Sequence, residues 1–300
     1  MLISEYIKIN TSLLLSDKID ERESQAIVRF LIEDSLQINR IDFSTYQLNK
    51  NEIDMLNKGI KRLKNNEPLQ YITQKTYFYG LEFEVNSAVL IPRPETEELV
   101  HQVLKDFDIK KKQFIHKENQ IFLEVGTGSG CISIALAKHL PYCHFVAIDI
   151  SAKALEVAKK NAKKNDISNI EFIEMDFLNE KLYSNYSQLK NINYLISNPP
   201  YIRETEKVDM NKNVLDYEPH LALFVAENNP LIFYKALANF FITKMKTKNG
   251  LLYAEINQYL ANETKALFES FGITNCIVFD DLQDNPRFIK ATQRQMEKRE

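Results

Sequence analysis

Ile121-Phe122-Leu123-Glu124-Val125-Gly126-Thr127-Gly128-Ser129-Gly130 passes from an apolar run into a glycine loop without a spacer. A short apolar run closed by glycine reads as a buried strand, and Ser129–His139 behind it reads as a helix. Glycine supplies the left-handed backbone of a tight turn and lets a ligand approach the main chain closely. The chain has seven glycines in 300 residues, and three of them fall between Gly126 and Gly130, so composition does not explain the cluster. A dinucleotide fingerprint would require glycine at Cys131, and a phosphate loop would require Gly-Lys followed by Ser or Thr. This loop has neither.

Downstream the pattern keeps alternating. Strands are expected at His144–Asp149, Ile170–Glu174, Tyr194–Ser197, Leu251–Ile256 and Cys276–Phe279, and helices at Ala152–Lys164, Pro230–Lys246 and Tyr259–Phe271. Such alternation implies an α/β fold, a mostly parallel sheet with helices on both faces. Ligands bind these sheets beyond the carboxyl ends of the strands. Gly126, Thr127, Gly128, Ser129 and Gly130 stand at one such end, with the Gly-x-Gly-x-Gly spacing of S-adenosylmethionine sites. A purely structural strand-to-helix turn is the alternative. Asp149 ends the next strand, about 20 residues after the loop, where an acid accepts from ribose hydroxyls in nucleotide folds. Ser151 offers a rival account, capping the following helix and leaving Asp149 a solvated charge. Asp176 and Phe177 close the third strand. There the acid or its backbone would meet an adenine edge while the ring packs on the base, or Phe177 would only fill the core.

A second motif, Asn198-Pro199-Pro200-Tyr201, follows the apolar run Tyr194-Leu195-Ile196-Ser197. Two prolines fix φ and carry no N–H, and a proline biases the residue before it towards extended backbone. The Asn198 side chain and the Pro199 carbonyl are then rigid acceptors with no competing backbone donor beside them. Two such acceptors suit the two in-plane hydrogens of a flat –NH2 group, and Tyr201 would cover its face. The motif reads as a site that presents an amide or amino nitrogen to an electrophile, with Asn198, Pro199, Pro200 and Tyr201 as its catalytic residues. A rigid turn is the plain alternative, because Asn-Pro is an ordinary turn signal. His139, His144 and His220 belong to no recognisable triad and read as structural or solvated.

Residues 1–75 read as short amphipathic helices, with Ile53, Leu56, Ile60 and Leu63 at helical spacing and a helix start at Ser44-Thr45-Tyr46-Gln47. Tyr77–Val85 alternates about Gly80, which places a β-hairpin in a linker over 76–92. Pro94 followed by Glu95 and Glu97 opens a helix. Lys110–Gln120 reads as a charged loop, and 93–300 as the domain that carries the chemistry. The net charge of −3 argues against nucleic acid held through its phosphates. Three scattered cysteines without a Cys-x-x-Cys pair suggest neither a disulfide framework nor a zinc site, and no metal is expected. Early charges at Glu5 and Lys8 speak against a signal peptide, and no uncharged apolar run approaches a membrane span. A soluble cytoplasmic protein is expected.

On these motifs the chain resembles class I S-adenosylmethionine-dependent methyltransferases, and more narrowly the HemK/PrmC family of peptide chain release factor glutamine N5-methyltransferases. The resemblance extends over nearly the whole chain. It includes Glu67-Pro68-Leu69-Gln70-Tyr71-Ile72, Leu90-Ile91-Pro92-Arg93-Pro94-Glu95-Thr96-Glu97, the glycine loop, Ile148-Asp149-Ile150-Ser151, Asn198 to Tyr201, Tyr217-Glu218-Pro219 and a late Asp281–Arg287 similar to the family's terminal hairpin. Asn257 departs from it, since the family commonly has glycine there. Adenine-N6 methyltransferases of nucleic acids and ribosomal-protein glutamine methyltransferases share the Asn-Pro-Pro-Tyr motif and are the alternative readings. The resemblance implies a Rossmann-like mixed sheet behind a small helical domain that docks the substrate. It implies S-adenosylmethionine as cofactor and, as substrate, the glutamine of the Gly-Gly-Gln loop of class I release factors. Gly126 to Gly130, Asp149 and Phe177 would contact the cofactor, Asn198 both cofactor and substrate, and Pro199, Pro200 and Tyr201 would complete the glutamine pocket. The expected partner is the release factor alone, with no direct nucleic acid and no membrane, and the chain is expected to act as a monomer.

Overall fold

The computed structural model describes residues 1–15, 19–113, 119–245 and 250–292, with backbone alone over 109–113. The chain divides into two compact units. The first comprises Met1–Lys75, Val85–Ser87 and Met210–Glu218. It contains α1 (Ile3–Leu14), α2 (Glu21–Leu36), α3 (Lys50–Lys64), α4 (Leu69–Thr73) and the distant α8 (Lys212–Tyr217). Ile3, Tyr6, Val28, Leu31, Ile32, Leu56 and Ile60 form its core, and the Tyr217 hydroxyl donates to the Asn65 carbonyl (2.8 Å). The helix start expected at Ser44 lies at Asn49 instead. Asn49 accepts from the Glu52 N–H (3.0 Å) while the Glu52 carboxylate accepts from the Asn49 N–H (2.8 Å), a reciprocal box that satisfies two orphan donors. Ser44 closes a 3₁₀ turn, Arg40–Ser44.

The second unit comprises Thr76–Glu84, Ala88–Asp209 and the chain from Pro219 onward. Strands β1 (Lys75–Phe78) and β2 (Leu81–Glu84) pair as a hairpin. Tyr79 and Gly80 between them both have positive φ (50° and 75°), as the two-residue turns that match strand twist require. The remaining elements are α5 (Pro94–Gln113), β3 (Ile121–Val125), α6 (Cys131–His139), β4 (His144–Asp149), α7 (Ala152–Lys164), β5 (Ile170–Glu174), β6 (Tyr194–Ser197), β7 (Ile202–Arg203), β8 (Phe224–Val225), α9 (Ile232–Thr243), β9 (Leu251–Glu255), α10 (Ala261–Ser270), β10 (Cys276–Asp280) and β11 (Pro286–Thr292). Helix α5 therefore runs through the first residues of the expected charged loop, of which 114–118 lie outside the described residues, as does Lys246 at the expected end of α9.

Seven strands form one sheet in the order β5-β4-β3-β6-β9-β11-β10. Neighbours are parallel except around β11, which runs antiparallel to both β9 and β10. Alternate residues of each strand face opposite sides. Phe122, Phe145 and Tyr194 occupy one register across three strands. Phe122 stacks on Tyr194 at 4.2 Å and on Phe145 at 4.8 Å, under Leu99, Val103 and Phe107 of α5 and Ile134 of α6. Leu123, Val146 and Leu195 face the other way, against Tyr234, Leu237 and Phe240 of α9 and Phe268 of α10. Both faces are covered, so the central strands read as near-continuous apolar runs.

Candidate active site

Strand register alone gathers the motifs. Val125 pairs with Ile148 on one side and Ser197 on the other, Asp149 pairs with Glu174, and Ser197 with Ala254. The residues that leave these strands, Gly126, Asp149, Met175, Asn198 and Glu255, therefore emerge side by side. From β3 the chain builds β4 and β5 outward in one direction, then crosses back to place β6 on the other side of β3, and such a switch point leaves a crevice beyond the strand ends. A cavity of about 380 Å³ occupies it, lined by the glycine loop, Asp149, Asp176, Phe177, Asn198, Pro199 and Pro200.

The loop fits a ligand by its bareness. Gly126 and Gly128 have φ of 73° and 55°, and a Cβ built on either would meet nothing within 4 Å. Asp149 fastens the loop from the next strand, its Oδ2 accepting from the Gly128 N–H (2.8 Å) and its Oδ1 from the Ser151 N–H (2.9 Å). A carboxylate has about four acceptor positions, so room remains for a further donor. Burial raises this carboxyl and the backbone amides pull it back. Ser151 does cap α7, accepting from the Ala154 N–H (3.2 Å), so cap and acid coexist in one turn. Asp176 accepts from the Leu178 N–H (2.9 Å). Phe177 lines the cavity and also belongs to the core, its ring 5.3 Å from Tyr183 and 5.6 Å from Phe240.

Two expected residues, Gly130 and Tyr201, are not among those lining the cavity. At Gly130 a Cβ would stand 2.9 Å from Ile134 Cδ1 and 3.2 Å from Ala158 Cβ, so this glycine serves the contact of α6 with α7. Its φ of 82° is left-handed as well. Gly130→Ala is expected to lower stability by about 2–4 kcal/mol through strain and overpacking. Gly126→Ala, facing open space, should lose about 1–2 kcal/mol through strain alone. Chemical denaturation of both variants checks the difference. Tyr201 packs against the core and its hydroxyl donates to Glu255 Oε1 (2.9 Å). A buried carboxylate demands donors, and the Tyr201 hydroxyl supplies one. None of His139, His144 and His220 lines the cavity.

Three acidic or hydroxyl groups at the site escaped the sequence reading. Glu124 is buried yet lines the cavity. It accepts from the Thr127 hydroxyl (2.6 Å), the Ser133 N–H (3.2 Å) and the Ser133 hydroxyl. Burial pushes its carboxyl from 4.5 up to about 7. The folded chain thus holds this proton more tightly than the unfolded chain. Glu124's contribution to stability is complete below 4.5 and is lost as pH rises through 7. Glu124→Gln removes the titration. Its melting temperature relative to the wild type should rise between about pH 5 and about pH 8, as thermal unfolding across that range would read. An acid set next to last in an apolar strand was the available signal.

Thr96, in the first turn of α5, and Glu255, at the end of β9, are the other two. The Asn198 Nδ2 donates to Thr96 Oγ1 (3.1 Å), and the Thr96 hydroxyl donates to Glu255 Oε2 (2.8 Å). Burial raises the Glu255 carboxyl, while the Thr96 and Tyr201 hydroxyls and the Arg287 charge lower it. Arg287 is itself paired with Asp281 (3.0 Å). Asn257 follows with φ −67° and ψ 121°, a conformation open to any residue, and needs no glycine. Its Nδ2 donates to the Tyr201 carbonyl (3.0 Å) and braces the motif from behind. Among the described residues no group of three or more His, Cys, Asp or Glu is placed to hold a metal, and no helix is long and apolar enough to cross a membrane.

A family model described as a methyltransferase domain matches residues 116–294, and one described as the PrmC N-terminal domain matches 9–73. A release factor glutamine methyltransferase of Flavobacterium psychrophilum is 41% identical over 93% of this chain and 95% of its own length. Another, of Lactococcus lactis subsp. lactis, is 36% identical over 87% and 95%. Among solved structures, the hMettl16 catalytic domain in complex with a MAT2A 3'UTR hairpin aligns with a TM-score of 0.54 at 15% identity, over 88% of this chain and 91% of that one. That likeness bears on the fold.

Proposed function

The chain belongs to the release factor glutamine methyltransferase family, and from that membership and the site we propose that it transfers a methyl group from S-adenosylmethionine to N5, the side-chain amide nitrogen, of the Gly-Gly-Gln glutamine in class I release factors. The observation that carries the reading is the register that sets Asn198 and Pro199 in one cavity with the glycine loop and Asp149. S-adenosylmethionine, when bound, supplies an already activated methyl group. The bare main chain of Gly126, Thr127, Gly128 and Ser129 would hold it, Asp149 would accept from its ribose, and Asp176 and Phe177 would receive its adenine.

An amide nitrogen is a poor nucleophile, because its lone pair is delocalised into the carbonyl. What the chain contributes is position, which is worth several kcal/mol and up to about 7–11 in ideal cases. The Asn198 Oδ1 and the Pro199 carbonyl accept the two amide hydrogens and fix the plane of the group. The same acceptors favour positive charge developing on nitrogen, more strongly in a water-poor pocket. Pro200 stiffens the pair, and Tyr201 braces it from the interior through Glu255 rather than covering the substrate. The proton on the alkylated nitrogen is strongly acidic and needs no dedicated base. The helical unit docks the release factor, and the enzyme works as a monomer without contacting nucleic acid. Mass spectrometry of a recombinant release factor, incubated with enzyme and labelled cofactor, tests this. One added methyl on the loop glutamine is expected, and label in nucleic acid with none in the factor would overturn the reading.

A further inference from the structure

We infer that Thr96 and Glu255 are positioning residues that decide which end of the Asn198 amide faces the cavity, an inference that rests on the role proposed above for Asn198. The oxygen and nitrogen ends of an amide are nearly identical in shape, so only hydrogen-bond partners choose between them. A glutamine –NH2 offers donors and needs an acceptor opposite. With Asn198 turned over, –NH2 would face –NH2.

Proton counting fixes the direction. Both Glu255 oxygens accept, from the Thr96 and Tyr201 hydroxyls, and the Arg287 charge opposite favours the ionised form against the burial that raises it. As a carboxylate it accepts only, and Thr96 has a single hydroxyl proton. That proton goes to Glu255 Oε2 (2.8 Å), leaving Thr96 with lone pairs alone for its other neighbour. The Asn198 –NH2 must then turn to Thr96 (3.1 Å), and its oxygen is left for the cavity. Glu255 is 2% exposed and is not among the residues lining the cavity, so water is no substitute partner for it. The far end is fixed too. Tyr201 occupies Oε1 (2.9 Å), and Arg287, which can only donate, faces both Tyr201 and Glu255, so the Tyr201 proton points to the carboxylate. Polarity thus runs from Arg287 through Glu255 and Thr96 to Asn198, joining the ends of β11, β9 and β6 with the first turn of α5.

Reversing the relay tests it. In Glu255→Gln the new amide keeps its oxygen on Tyr201 and presents –NH2 to Thr96. Thr96 must then donate to Asn198, and the wrong end faces the cavity. We expect kcat to fall roughly tenfold to a hundredfold through misalignment, with melting temperature and S-adenosylmethionine affinity near wild type. Asn198→Asp alone sets two carboxylates against one hydroxyl proton and also loses activity. Combined with Glu255→Gln it accepts the reversed Thr96 proton and still offers an oxygen to the cavity. The double variant should therefore exceed Glu255→Gln by about tenfold, a sign of coupling that a merely structural role does not produce. A double variant no better than Glu255→Gln, or Glu255→Gln within about twofold of wild type, overturns the relay. If Glu255→Gln does not fold, Thr96→Ser active beside Thr96→Val inactive supports it, and equal activity overturns it. Full turnover in Asn198→Ala would remove the role of Asn198 and this inference with it. An inactive Asn198→Ala beside an unaffected Glu255→Gln sinks the relay alone.

Discussion

Asn198→Ala is expected to lower methyl transfer to the release factor by about a hundredfold to a thousandfold, the range found when one preorganised polar group is removed from a reacting centre. The loss falls on turnover because the missing oxygen is one of the two acceptors that hold the nucleophile in plane. Stability should change little. Asn198 is half-buried, and its partner Thr96 keeps its stronger contact to Glu255 when the amide is gone. Label incorporation at saturating cofactor and factor, read beside a melting curve, separates the two effects. Near-normal turnover would count decisively against the proposed chemistry.

Asp149→Ala should act on the cofactor instead. Its carboxylate holds the Gly128 and Ser151 N–H groups at 2.8 and 2.9 Å, so the substitution removes a ribose acceptor and also unfastens the loop it steadies. Hydrogen bonds to a charged group contribute about 1.5–3 kcal/mol each, which makes roughly a hundredfold weaker binding the expected result. Titration calorimetry with S-adenosylmethionine measures this directly, and much of the lost rate should return when cofactor is raised. Unchanged affinity would remove the ribose assignment while leaving the amide pocket standing.

The central sheet was legible because each strand end carries its own chemistry. Ile121–Val125, His144–Asp149, Ile170–Glu174 and Tyr194–Ser197 appear with the bounds their patterns imply. Gly126, Ser151 and Pro199 mark their exits locally. Strand β11 was not separable from the terminal hairpin motif, because Phe288, Ile289 and Ala291 are all buried and an inner strand shows no alternation. Charge in Lys110-Lys111-Lys112 does not stop a helix, since lysine is a good helix former, and α5 continues past it. Thr96, Asn198 and Glu255 are far apart in the chain, and no local pattern declares that one hydroxyl will stand between an amide and a carboxylate. Gly130 and Tyr201 were placed at the cavity by motif membership, whereas crowding at one and a buried acid at the other turn them inward. The assignment of Met210–Glu218 to the helical unit likewise depends on contacts that spacing does not encode.

The inner position of β11 has a consequence for biogenesis. During vectorial synthesis β9 and β10 are made first, yet they cannot join each other, because the strand that separates them is still to come. A nascent chain thus carries β9, an inner strand of the finished sheet, as an exposed edge, the kind of surface that invites aberrant pairing, until β11 has left the ribosome. Arg287 arrives on that same strand, so the cation that faces Glu255 and the strand that joins β9 to β10 enter the fold together.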